Sequence, residues 1–104
     1  MALKSRGCPV MQPYLPEELD ALLVELPDWI STDFAIHRSC EFPSFRAAMN
    51  FVNQVADLSE AKNHHPDIEI RFREVALSLW THTVSGVTKR DIELARLISE
   101  LPTS

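Results

Sequence analysis

The sequence predicts an α+β two-layer domain in the order helix, two strands, helix, two strands, helix, giving a four-stranded antiparallel sheet with helices packed on one face. Three observations lead there. Apolar residues recur at helical spacing in three separate segments, and they alternate along the stretches between those segments. The alternating stretches come in pairs joined by links too short for a parallel crossover, so each pair must be a hairpin. At 104 residues the chain has room for one core and not for two comfortable ones.

The first helix is predicted over residues 16 to 26, where Leu19, Leu22, Leu23 and Leu26 share a face, Pro16 suits a first turn and acids follow it. "FAIHRSCEF" reads as a half-buried strand with Phe34, Ile36, Cys40 and Phe42 on one side and Ala35, His37, Ser39 and Glu41 on the other; "WIST" before it is its hairpin partner. Ser44 caps a long helix running to Lys62, with Phe45, Ala48, Val52, Val55 and Ser59 along one face. "IEIRF" and "VALSLWTH" alternate as two further strands around a tight turn at Arg73 and Glu74, a register that sets Ile68 opposite Leu79 and His65 opposite His82. A three-residue loop would set His64 opposite His82 instead. The last helix begins at Thr88 and offers Ile92, Leu94, Ala95, Leu97, Ile98 and Leu101 to the core. Residues 1–15 are expected to form a flexible N-terminal segment and 16–104 a single domain.

Composition excludes several functions. Hydrophobic residues make up 45% and charged residues 24%, which suits a soluble globule. No apolar run approaches the roughly 20 residues of a membrane span, and the start lacks a signal-peptide pattern, so no membrane association and a cytoplasmic location are expected. A net charge of −5 argues against direct nucleic-acid binding, which needs a basic face. Two glycines exclude a glycine-rich phosphate loop. Cys8 and Cys40 have no pairing motif and are read as free thiols.

The chemistry concentrates in "AKNHHPDIEIRF". Neighbouring side chains diverge by about 100° on a helix, so His64 and His65 share a pocket only if the backbone changes form between them. Pro66 supplies that break, because it disfavours the helical region for His65. Either hairpin register then brings His82 to the same end of the sheet. Three imidazoles without a thiolate pair point to general acid and base chemistry. A zinc site would need Glu60, Asp67 or Asp91 to complete a ligand set, and adjacent histidines reach one metal only with strain. Both histidines of the pair could instead merely terminate a helix, and His37, on the face with Ser39 and Glu41, is read as structural or exposed.

These residues resemble the pattern of the pterin-4a-carbinolamine dehydratase family: an acid, then after three positions His, His or Asn, and Pro, then an aromatic, a histidine and an aspartate. Here they are Glu60, His64, His65, Pro66, Phe72, His82 and Asp91, and "LPDW", "FPSFRAAMNFVNQVA" and "THTVSGVTKRDIELA" also agree. Ile68 stands where the family often has an aromatic, and "GVT" replaces a commoner "GLT".

The resemblance implies dehydration of 4a-hydroxytetrahydropterin to quinonoid dihydropterin in tetrahydrobiopterin recycling. It places catalytic roles on His64, His65 and His82, with Glu60, Pro66, Trp29, Arg90 and Asp91 around the pterin. No cofactor or metal is implied, and a homodimer or homotetramer is. Each helper has a plainer reading: Asp91 closes a capping box with Thr88, Trp29 belongs to the core, and Glu60 is a solvated helix residue or orients His64 one turn away. The rival reading is a non-catalytic interaction or assembly module, as in family members that act as transcription coactivators.

Overall fold

The computed structural model describes residues 12–102. It contains α1 (Pro16–Leu23), β1 (Ile30–Thr32), β2 (Ala35–Glu41), α2 (Phe45–Lys62), β3 (Asp67–Arg71), β4 (Glu74–Leu79), a 3₁₀ turn (His82–Val84) and α3 (Lys89–Ser99). The strands form one antiparallel sheet in the order β1-β2-β4-β3, so the α+β class and the helix and strand order are as the sequence predicts. Most of the expected flexible segment, and Cys8 with it, lies outside the described residues. Of the remainder, Tyr14 donates its N–H to the Val87 carbonyl at 2.8 Å. At the neighbouring Gly86 a Cβ would come within 2.6 Å of the Pro13 side chain, which leaves room for glycine alone.

Helix α1 stops earlier than its leucine spacing suggests. Pro27 bars Leu26 from helical geometry, and the chain tightens into i→i+3 bonds, Glu25 to Leu22 and Leu26 to Leu23. Leu26 is still buried. In α2 the Ser44 hydroxyl accepts from the Ala47 N–H at 3.0 Å, and Ala48, Phe51, Val55 and Ser59 face the core. Phe45 at the first turn is exposed.

One face of the sheet packs on the helices. Ile36 and Cys40 of β2 lie opposite Leu79 and Val75 of β4, all four buried; full burial of each large aliphatic contributes about 1.5–3 kcal/mol. The alternation also places Arg38 on this face, opposite Leu77. The sequence reading passed over it because a charge contradicts the pattern. Arg38 is buried, its Nη2 lies 3.7 Å from exposed Asp28, and among the described residues its Nε and Nη1 have no hydrogen-bond partner. Phe34, expected on the core side, is exposed. It falls in the two-residue turn after Asp33, which has a φ of 51°.

The second hairpin differs from expectation by two residues. Ile68 faces Leu77, Ile70 faces Val75 and Arg71 faces Glu74, so the loop is Phe72–Arg73, with Phe72 at φ 56°. A slip of two leaves every side chain on its original face, so hydrophobic alternation fixes the parity of the register and not its value. Glu74 is instead taken up by the ladder, opposite Glu41, and the Phe42 N–H donates to the Arg73 carbonyl. The fourth strand also ends at Leu79, before His82. Pro66 has no N–H to extend the ladder beyond Asp67. Thr81 instead bridges to Gly86 around the 3₁₀ turn.

Candidate active site

The two adjacent histidines part company at a helix terminus of defined geometry. Asn63 is left-handed, with φ 51°, a conformation that asparagine tolerates better than most residues. Its N–H donates to the Glu60 carbonyl and the next N–H, that of His64, reaches back to Ser59. This is the paired bonding of a Schellman motif. It turns the chain so that His64 points inward and is buried while His65 remains exposed.

His64 Nε2 lies 2.5 Å from Asp91 Oδ1. Asp91 is fully buried in the first turn of α3, where the helix dipole favours a negative charge. Its other oxygen accepts from the Thr88 N–H at 2.9 Å and from the Thr81 hydroxyl at 2.8 Å. The Thr88 hydroxyl lies 2.7 Å from that of Thr81 and accepts from the Arg90 N–H at 3.3 Å. Because Thr81 has already given its one proton to the carboxylate, Thr88 donates to Thr81. Asp91 therefore closes the capping box and holds His64 at once. A carboxylate can only accept, so the Nε2 proton is fixed and, in the neutral ring, the lone pair lies on Nδ1.

The other two histidines are held differently. His65 Nε2 lies 2.6 Å from Glu60 Oε2 on the exposed surface, so Glu60 orients His65 and not the His64 ring suggested from sequence; one turn of helix no longer separates the residues once the backbone reverses. His82 is exposed, and its ring stacks on Trp80 with centroids 4.4 Å apart and planes 6° from parallel. Arg90 crosses from α3 to donate to the Asn63 carbonyl at 2.6 Å.

His64, His65 and His82 line one cavity of about 290 Å³ together with Asn63, Trp80 and Arg90, and with Thr81 and Thr83 behind them. Asp91, Glu60 and Pro66 do not line this cavity; Asp91 and Glu60 are tied to it through their bonds to His64 and His65. Trp29 is in the core, its Nε1–H donating to Ser99 Oγ at 3.0 Å, and does not line the cavity. A larger hollow of about 360 Å³ beside Tyr14, Phe34 and Val87 carries no histidine. His37 lies on the open sheet face between the Thr32 and Ser78 hydroxyls, away from the site. Sequence reasoning missed Trp80, Thr81 and Asn63. Only Asn63 carried a usable signal, as an asparagine directly after a helix. The arrangement suits proton transfer: one buried imidazole held by a buried carboxylate, a second held by an exposed one and a third accessible, around a space near the lower end of small-molecule pockets, roughly 300 Å³.

Comparison with known proteins finds relatives over most of this chain. Residues 12–101 match the family model for pterin 4 alpha carbinolamine dehydratase. A Mycobacterium leprae protein whose name places it in that family is 49% identical over 85 residues, covering 82% of this chain and 90% of its own. A similarly named Thermomicrobium roseum protein is 51% identical over 81 residues, covering 78% and 87%. Among solved structures, a Brucella melitensis protein described as a transcriptional coactivator/pterin dehydratase superposes with a TM-score of 0.80 at 34% identity, over 84% of this chain and 95% of that one. A pterin dehydratase-like RuBisCO assembly factor shares the fold, with a TM-score of 0.58 at 19% identity over 68% and 82%.

Proposed function

This chain belongs to the pterin 4 alpha carbinolamine dehydratase family, and on that premise we propose that it removes water from 4a-hydroxytetrahydropterin to give quinonoid dihydropterin, as a hydro-lyase working by histidine acid and base catalysis. The observation that supports this most is the convergence of His64, His65 and His82 on one cavity, with His64 fixed by Asp91. A carbinolamine needs a proton for its departing hydroxyl and a base for a ring N–H, while the nitrogen lone pair expels the leaving group. His64 suits the base: Nδ1 takes the ring proton, and Asp91 stabilises the imidazolium that forms, as a buried carboxylate does for a catalytic histidine elsewhere. His82 suits the acid, giving its proton to the hydroxyl that leaves as water. His65 and Arg90 bind and orient the pterin.

Stopped-flow measurement with a freshly generated 4a-carbinolamine tests the proposal. Acceleration over the spontaneous dehydration, unaffected by EDTA, is expected. No acceleration would sink it, and loss of activity on chelation would transfer the histidines to a metal mechanism. An assembly module has no evident need for three imidazoles around a cavity, which favours the enzyme over that reading.

Cytoplasmic location and tetrahydrobiopterin recycling belong to the same proposal; among the described residues no helix is long and apolar enough to cross a membrane. So does self-association. Strands β1 and β3 are edges with unpaired backbone groups that a second copy could cover. Light scattering should give a mass at least twice the 11.8 kDa of one chain.

A further inference from the structure

We infer that Trp80 is a positioning residue for His82, holding the imidazole plane at the cavity through a column of three rings. The column begins at Phe34 in the β1–β2 turn, whose ring meets that of Trp80 edge-on at 5.2 Å and 89°, and it continues from Trp80 to His82 at 4.4 Å and 6°. His82 needs such a support. It opens a single 3₁₀ turn, its side chain is exposed, and among the described residues no side chain hydrogen-bonds to its ring.

A stack is a particular kind of restraint. A hydrogen bond orients a histidine by occupying one ring nitrogen, as Asp91 does at His64. A parallel indole fixes the plane and leaves both nitrogens of His82 available to a ligand. Trp80 is half-buried at the end of β4, so its own position is set by the sheet and by its edge contact with Phe34. This assignment rests on the reading of His82 as a proton donor in the dehydration.

Two measurements test it, one of them independent of activity. Trp80→Leu keeps apolar bulk and removes the stacking face; it should lower kcat about tenfold with KM within about twofold, since small misplacements of a catalytic group are costly. Trp80→Phe should restore most of the rate. In a His82→Ala background, Trp80→Leu should have no further effect, because residues that act through one another are not additive. An equal loss in both backgrounds, or a rise in KM alone, overturns the inference. Separately, a ring stacked on an indole shields that face from solutes, so acrylamide quenching of tryptophan emission should rise in His82→Ala, and the rise should vanish when Trp80→Leu is added. If wild type and His82→Ala quench alike there is no stack, and the inference fails whatever the activity. If the shielding is present but dehydration is not accelerated, the stack stands while the dehydratase reading, and the role assigned within it, fall.

Discussion

His64 and His82 line the same cavity but are held by opposite means. The first is buried, with its partner Asp91 accepting from three donors in a network that also caps α3; the second is exposed and rests against an indole. Buried polar groups are costly to leave unpaired, roughly 1–3 kcal/mol each, whereas exposed ones return to water. The comparison therefore teaches that stability and catalysis should be inseparable at one histidine and separable at the other.

The largest effects should come from the buried side. Asp91→Ala removes the acceptor for His64, Thr81 and the Thr88 N–H together, and should cost about 3 kcal/mol in urea denaturation while lowering kcat at least about 100-fold. His64→Ala should lower kcat by a factor on the order of 100 to 10,000, towards the spontaneous rate, with a stability loss of about 2 kcal/mol. An unchanged denaturation midpoint in His64→Ala would break the comparison at its centre. His82→Ala should lose rate on the same scale, yet shift stability by less than about 0.5 kcal/mol, as exposed substitutions usually do. A large destabilisation there would show that both rings are structural.

Smaller changes sharpen the contrast. Thr81→Val keeps the shape but removes one of the two donors to Asp91 Oδ2, and should cost about 1–2 kcal/mol with a rate loss of only a few-fold. Glu60→Gln breaks the exposed pair with His65 and should change stability by well under about 1 kcal/mol, its effect appearing in KM. Cys40 should give the least. Burial pushes its thiol above the ordinary value, with Arg38 pulling the other way. The folded protein thus keeps this proton when the unfolded chain has lost it, so stability present below the ordinary thiol value is lost as the pH rises through the raised one. The urea midpoint should fall once the pH passes the ordinary thiol value, and that slope should flatten in Cys40→Ala.

Much of the site was legible because local chemistry set it. Ser44 marked the start of α2 and the histidines its end, and Thr88 with Asp91 announced α3 three residues apart. What stayed hidden depended on relations between distant segments. Strand alternation could not distinguish two hairpin registers of equal parity, so it set His65 opposite His82 across a ladder that stops before either residue. The 3₁₀ turn after Thr81 brings His82 to the cavity by another route. Trp29 had two plausible destinations, and its hydrogen bond to Ser99 shows that it took the core. Arg38 was overlooked because a charged residue in an apolar row reads as an interruption, although β2 carries it inward like its neighbours.

The close approach of Pro13 to Gly86, and the bond from Tyr14 to Val87 beside it, join the chain ahead of α1 to the loop that follows His82. An expression boundary chosen at the start of α1 would leave the fold's helices and strands whole while untying that loop. A shortened protein of this kind should melt almost normally while His82 loses its support from behind, and any rate measured on it would understate that of the longer chain.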